Sequence, residues 1–270
     1  MLPYPRKRFG QHFLLDKNII AKIINYGNYQ KNDLVLEIGP GRGSLTNELY
    51  KIVNNLYAVE YDRDLVIFLK QKYPRLQLFE EDALEFNFAL PQKQFEKEYQ
   101  KISKIKLIGN LPYNIASQLL FRFIENIKKF DQLIIMVQKE VADRITAKTS
   151  TKEYSRLTVS SQYFFDITRL IDVKASAFYP SPKVNSSVLQ LLPKPQQQIS
   201  QCDWKQLLDV IKIAFANRRK KISNNFKKHL SAKQLDVIGK KYNIFDLADL
   251  RAENLPLKVY IEITKMIYKK

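Results

Sequence analysis

The sequence predicts an α/β fold, a parallel sheet covered by helices on both faces, followed by a small all-α domain. Three observations carry that expectation. Short apolar runs alternate with amphipathic stretches up to about residue 193. The first run passes directly into a glycine-rich turn, EIGPGRG at 37–43. Beyond PKPQQQIS at 193–200, which reads as a linker, only helical spacing remains.

Taken in order, the runs at 34–38, 56–59, 76–79, 105–108 and 133–137 have the length and composition of strands buried on both faces. Between most of them, 44–53, 62–72 and 115–127 read as helices. Residues 166–173 and 187–192 read as two further strands joined through a proline-rich turn. After the linker, Trp204, Leu207, Leu208, Ile211 and Phe215 recur at helical spacing. Basic residues crowd the end of that segment: Arg218, Arg219, Lys220 and Lys221, then Lys227 and Lys228. The expected domains are therefore 1–193 and 200–270.

The chain has 270 residues, of which 45% are hydrophobic, enough for one large domain or a large and a small one. No apolar run approaches bilayer length, and the basic start MLPYPRKRFGQHF leads into no signal-peptide core, so a cytoplasmic protein is expected. Cys202 is the single cysteine, which rules out an internal disulfide. With only His12 and His229 beside it, no metal site is expected. Lys and Arg number 45 against 27 Asp and Glu, a net charge of +18. An AT-rich coding bias inflates lysine too, so the distribution matters more than the total. Residues 1–180 hold 27 basic and 20 acidic side chains, whereas 181–270 hold 18 and 7. A field concentrated in this way attracts a polyanion such as nucleic acid.

Gly39, Gly41 and Gly43 stand at alternate positions where a strand becomes a helix, and they let the backbone approach a ligand. The dinucleotide pattern would need glycine at Ser44, and the Lys-Ser/Thr ending of a phosphate loop is missing. Glu60 and Asp82 close the next two strands. One is placed to accept ribose hydroxyls and the other an adenine amino group. Glu37, just before the glycines, makes the wall anionic. That suits the cationic S-adenosylmethionine better than a phosphate.

GNLPYNIA at 109–116 follows the fourth strand. An adenine N6 amine is a poor nucleophile, because its lone pair is delocalised into the ring. The Asn110 side-chain oxygen and the Leu111 carbonyl would hold its hydrogens, and Tyr113 would stack on the base. Pro112 fixes φ and biases Leu111 to an extended conformation. Positioning and electrostatics suffice for such a transfer, so no catalytic His or Cys is needed. A plain strand-to-helix turn with an Asn cap is the competing reading of these four residues.

RFGQHFLLD at 8–16, EIGPGRGSLT, AVEYDRDL at 58–65, EDALEF at 81–86, GNLPYNIA, FYPSPKVNSSV at 178–188 and RRKKI at 218–222 together resemble the ribosomal RNA adenine N6-dimethyltransferases. Within these they resemble the bacterial small-subunit branch over nearly the whole chain. The resemblance implies a seven-stranded Rossmann-like methyltransferase domain and a helical RNA-recognition domain. It implies a monomer that uses S-adenosylmethionine to dimethylate two adjacent adenosines, those in the 3′-terminal hairpin loop of 16S rRNA within the 30S subunit. By motif match, Gln11, His12, Leu14, Glu37, Gly39, Glu60, Asp82 and Asn110 would line the donor site. Asn110, Leu111, Tyr113 and Phe178 would clamp the base, Phe178 from the other face. Arg218, Arg219, Lys220 and Lys221 would meet RNA. His12 stands where the family usually has Asn, and Ala116 where Ser is common. Three alternatives stay open: an erythromycin-resistance methyltransferase acting on 23S rRNA, a DNA adenine methyltransferase, and a non-catalytic RNA-binding factor. Leu111 between Asn and Pro disfavours the second.

Overall fold

A computed structural model describes residues 3–6, 10–195 and 203–268. Arg8 and Phe9, residues 196–200 of the expected linker, and Cys202 lie outside the described residues. The main sheet contains β2 (Leu34–Ile38), β3 (Asn55–Glu60), β4 (Gln77–Glu80), β5 (Ile105–Asn110), β6 (Phe130–Gln138), β7 (Phe165–Val173) and β9 (Ser186–Pro193). Their order is β4-β3-β2-β5-β6-β9-β7, the seven strands that the resemblance implied. The first five named are parallel, and β9 runs antiparallel to β6. From β2 the chain steps outward to β3 and β4, then returns to β5 on the other side of β2. The strand order reverses there, and ligands of such sheets bind outside the carboxyl ends at that point.

Tight pairing holds the switch point closed beneath the site. Ile38 pairs with Gly109, and a Cβ built on Gly109 would lie 2.6 Å from the Ile38 carbonyl oxygen. No side chain fits at that position. The strands β2 and β3 are buried along their whole length, as their near-continuous apolar composition requires. Helices α2 (Ser44–Ile52), α3 (Arg63–Lys72), α4 (Ala89–Tyr99) and α5 (Ala116–Glu125) connect the parallel strands. Helix α5 buries Leu119, Leu120, Phe123 and Ile124 on one face.

Two features at the N-terminal side escape the expected pattern. Helix α1 (Lys17–Gly27) starts at Asp16, whose carboxylate accepts the backbone N–H groups of Asn18 and Ile19. Just before it, β1 (Phe13–Leu14) pairs antiparallel with β8 (Phe178–Tyr179), with Leu14 opposite Phe178. This two-stranded sheet brings Gln11 and His12 to the carboxyl ends of the main strands.

The chain divides into two compact units, Met1–Ala142 with Asp166–Pro193, and Asp143–Phe165 with Lys194–Lys270. Residues 143–165, expected within the first domain, thus group with the helical part. The cause is apolar packing: α7 (Arg156–Phe164) places Phe164 edge-on to Trp204, with ring centroids 6.4 Å apart. In the same unit, α8 (Trp204–Ala214), α9 (Ile222–Phe226), α10 (Ala232–Lys241) and α11 (Leu257–Tyr268) bury Leu207, Ile211, Phe226, Leu235 and Tyr260. Among the described residues, no helix is long and apolar enough to cross a membrane.

Candidate active site

A cavity of about 230 Å³ opens at the carboxyl ends of β2, β3, β4 and β5. Its floor is the glycine turn. Gly39, Gly41 and Gly43 all have positive φ, at 66°, 58° and 80°. An added Cβ would lie 2.9 Å from the Tyr73 ring at Gly43, and 3.0 Å from the Phe13 ring at Gly41. The Gly41 N–H donates to a Glu60 carboxylate oxygen at 3.1 Å.

The acids behind the turn are more fully engaged from within than their strand-end positions suggest. The Glu60 carboxylate also accepts the backbone N–H groups of Tyr61 and Asp62, each at 2.9 Å. Three of its roughly four acceptor sites are occupied, so direct contact with both ribose hydroxyls is reduced to one remaining site. Burial pushes its pKa up, against the three backbone hydrogen bonds. Glu37 is 1% exposed and accepts the Thr46 hydroxyl at 2.7 Å. Burial raises its pKa to about 8. It is a deeply set group, neutral or charged according to what lies beside it, rather than an open anionic wall.

Gln11 lines the cavity, yet both ends of its amide serve the fold. The Nε2 donates to Asp62 at 2.9 Å, and the Oε1 accepts the Arg6 backbone N–H at 2.7 Å. Asp62, itself 2% exposed, also caps α3 and pairs with the Arg6 guanidinium at 2.9 Å. Asp82 stands at the cavity edge and accepts the Leu84 N–H at 2.8 Å. The brace formed by Arg6, Gln11 and Asp62 was not foreseen from the sequence. Asp62 showed only as the start of a helix in EYDRD.

At the other end of the cavity, Asn110 closes β5. Its Nδ2 donates to the His12 carbonyl at 2.9 Å. A carbonyl only accepts, so this bond orients the amide and leaves Oδ1 on the opposite side. That oxygen is buried and has no hydrogen-bond partner among the described residues. Leu111 donates its N–H to the Met136 carbonyl at 3.0 Å, and its own carbonyl receives no donor from the described residues. The Tyr113 hydroxyl shares a 2.6 Å hydrogen bond with Ser186, and burial raises its pKa. The His12 ring stacks on Tyr113 with centroids 5.5 Å apart and 26° between planes.

The cavity thus gathers Gln11, His12, Leu14, Glu37, Gly39, Glu60, Asp82, Asn110, Leu111 and Tyr113. Phe178 is absent from its lining. It is 4% exposed and packs in the core with Leu14, Ile20 and Ile134, which differs from its expected place against the target base. The pairing of β8 with β1 turns that side chain inward. In the helical unit, Arg218, Arg219, Lys220 and Lys221 are all exposed on the turn after α8. Two of them are paired: Arg218 with Glu253 at 2.7 Å, and Lys221 with Asp249 at 3.0 Å. Among the described residues, no group of three or more His, Cys, Asp or Glu is placed to hold a metal ion.

The chain matches the family described as "Ribosomal RNA adenine dimethylase" over residues 4–269. It is 38% identical to the "Ribosomal RNA small subunit methyltransferase A" of Chromobacterium violaceum, covering 98% of this chain and 97% of that one. Among solved structures, it is similar to a dimethyladenosine transferase from Plasmodium falciparum (TM-score 0.75, 25% identity, 93% of this chain and 96% of that chain). The 23S rRNA methyltransferase ErmE shares the fold (TM-score 0.70, 20% identity, 94% and 99% covered). With a family match across almost its whole length and a relative of this identity, the chain belongs to the ribosomal RNA adenine dimethylases.

Proposed function

We propose that this enzyme transfers methyl groups from S-adenosylmethionine to N6 of two adjacent adenosines in the 3′-terminal hairpin loop of 16S rRNA, within the small ribosomal subunit. The observation that carries the proposal is the Asn110 Oδ1: buried, oriented by the His12 carbonyl, and without a donor. A buried acceptor left open costs roughly 1–3 kcal/mol, so its natural partner is an N–H that arrives with the substrate. The open carbonyl of Leu111 supplies a second acceptor beside it.

The residues present fit the methyl donor. The glycine turn gives the floor a backbone held in the left-handed region, and Glu60 keeps one acceptor site for a ribose hydroxyl. Asp82 offers a carboxylate to an adenine amine, and Glu37, which burial favours as the neutral acid, would ionise beside a cation. When bound, S-adenosylmethionine supplies an electrophilic methyl group. The chain's part is to position the acceptor. Asn110 Oδ1 and the Leu111 carbonyl take the two N6 hydrogens and draw the amine out of conjugation with the ring. Tyr113, kept a neutral phenol by burial and held by Ser186, offers a flat face to the base. No general base is required, because the proton is lost after transfer.

The exposed Arg219 and Lys220 support phosphate contact from the helical unit. The small-subunit target rests on the near full-length similarity to a relative named for that subunit. The test is transfer from labelled S-adenosylmethionine to undermethylated 30S subunits and, separately, to protein-free 23S rRNA. Dimethyladenosine at the 3′ end of 16S rRNA is the expected product. Product in 23S rRNA alone would move the target to the large subunit, and no product from either would overturn the enzymatic reading.

A further inference from the structure

We infer that His12 is a positioning residue for the adenine clamp, not a contact to the methyl donor. The inference rests on the reading of Asn110 and Tyr113 given above and assigns their geometry to a third residue.

His12 is half-buried, and three separate parts of it are in use. Its backbone carbonyl accepts the Asn110 Nδ2 at 2.9 Å, which is the bond that fixes the amide and keeps Oδ1 on the side away from His12. Its ring lies against Tyr113 at 5.5 Å and 26°. Its Nδ1 lies 2.6 Å from the Pro180 carbonyl oxygen. A carbonyl has no proton to give, so Nδ1 carries the hydrogen and the bond anchors the ring to the segment after β8. One residue therefore joins the end of β5, the Tyr113 ring and the 180 segment.

The ring is what gives this arrangement its stiffness. Any residue at position 12 would have a carbonyl, but a side chain without a ring and an N–H would lose the tie to Pro180 and the contact with Tyr113, leaving the 11–12 loop to Gln11, the His12 carbonyl and β1. Tyr113 would then be held at its hydroxyl by Ser186 alone, and rotation about that one hydrogen bond would tilt its face. Small errors of placement matter in a reaction driven by positioning, because the reacting atoms must be aligned before transfer.

The experiment measures two quantities for the full chain: donor affinity by calorimetry with S-adenosylmethionine, and the rate constant for transfer to undermethylated 30S subunits at saturating donor. The variants are His12→Ala, which removes the ring, and His12→Phe, which keeps a ring of similar width without the N–H. We expect His12→Ala to slow transfer about tenfold, a loss within the range known for misplaced reacting groups. Donor affinity stays within about twofold of the native chain, and His12→Phe recovers part of the lost rate. Should donor affinity fall about tenfold with the rate constant unchanged, His12 is a donor contact and the inference fails. Unchanged rates in both variants would overturn it equally. Thermal melting of each variant separates a lost fold from a loosened clamp, and His12→Phe retains a test if His12→Ala does not fold. A native chain that transfers nothing refutes the clamp itself; an active native chain with fully active His12 variants refutes only this role for His12.

Discussion

The two ends of the cavity differ in where their polar groups find partners. At the glycine end, Glu60 is met by three backbone N–H groups, Glu37 by Thr46, and Asp62 by Gln11 and Arg6. At the β5 end, Asn110 Oδ1 and the Leu111 carbonyl have none among the described residues. The first end is largely engaged before any ligand arrives, and most of its polar groups work for the fold. The second is left incomplete and gains its hydrogen bonds only with the substrate. Removing a group from the first should therefore damage both stability and binding, whereas removing one from the second should damage transfer alone.

The largest effect should follow Asn110→Ala. Methyl transfer should fall by at least about 10²–10³, the scale for losing a preorganised group of this kind, with donor and RNA affinities changed only a few-fold. Its melting temperature should change little, because the lost Nδ2 bond to the His12 carbonyl offsets the relief of the unmet Oδ1. Retention of full transfer would break the comparison at its functional end. Next comes Glu60→Ala, which strips three backbone N–H groups of their acceptor. Stability should drop on the order of 2 kcal/mol, and donor affinity should fall together with it. Calorimetry and denaturant melts on one preparation would check both losses.

Glu37 sharpens the contrast through pH. Its carboxyl titrates near 8 in the fold against an ordinary 4.5. Between those values the folded protein holds a proton that the unfolded chain has released, so stability declines as pH rises through that window. Donor affinity runs the other way, rising as Glu37 ionises beside a cation. Glu37→Gln keeps an acceptor for Thr46 and removes the titration. Both slopes should flatten, and melts with donor titrations on either side of the window will show whether they do. The smallest effect belongs to the helical unit. Arg219→Glu with Lys220→Glu should weaken RNA binding several-fold and lower the salt slope by about one per lost phosphate contact. Arg218→Glu should change that slope less, because the Arg218 side chain is already paired with Glu253.

Much of the fold was legible because buried parallel strands announce themselves as apolar runs. The run at 34–38 coincides with β2, whereas β6 begins three residues before the expected 133, since Asp131 and Gln132 interrupt its apolar start. Helix α4 buries only Pro91 and Phe95, too sparse a stripe to reveal a helical period. Helix α1 carried a readable signal, with Ile20, Ile23, Ile24 and Gly27 one turn apart behind an Asp cap, and its omission was a failure to use it. A two-residue strand such as β1 has no periodicity to detect.

The candidate site divides along the same physical line. Acids and glycines at strand ends are local features, so Glu37, Gly39, Glu60, Asp82 and Asn110 could be picked out and do converge on one cavity. How far each is already satisfied depends on partners distant in the chain. Gln11 reaches Asp62 across 51 positions, Asn110 reaches His12 across 98, and no local pattern encodes either. Phe178 shows the same limit from the other direction. Its motif is local, but the side on which the ring falls is decided by pairing with a strand more than a hundred and sixty residues earlier, Leu14 opposite Phe178.

The open oxygen of Asn110 also has an evolutionary consequence. A lineage under selection for foldability alone would have little reason to keep that amide, since its unmet acceptor offsets what the Nδ2 bond to the His12 carbonyl contributes. The need to hold an incoming amine is what opposes that drift. In a copy of this chain freed from methyl transfer, position 110 is thus among the first where substitution ends the activity at little cost to the fold.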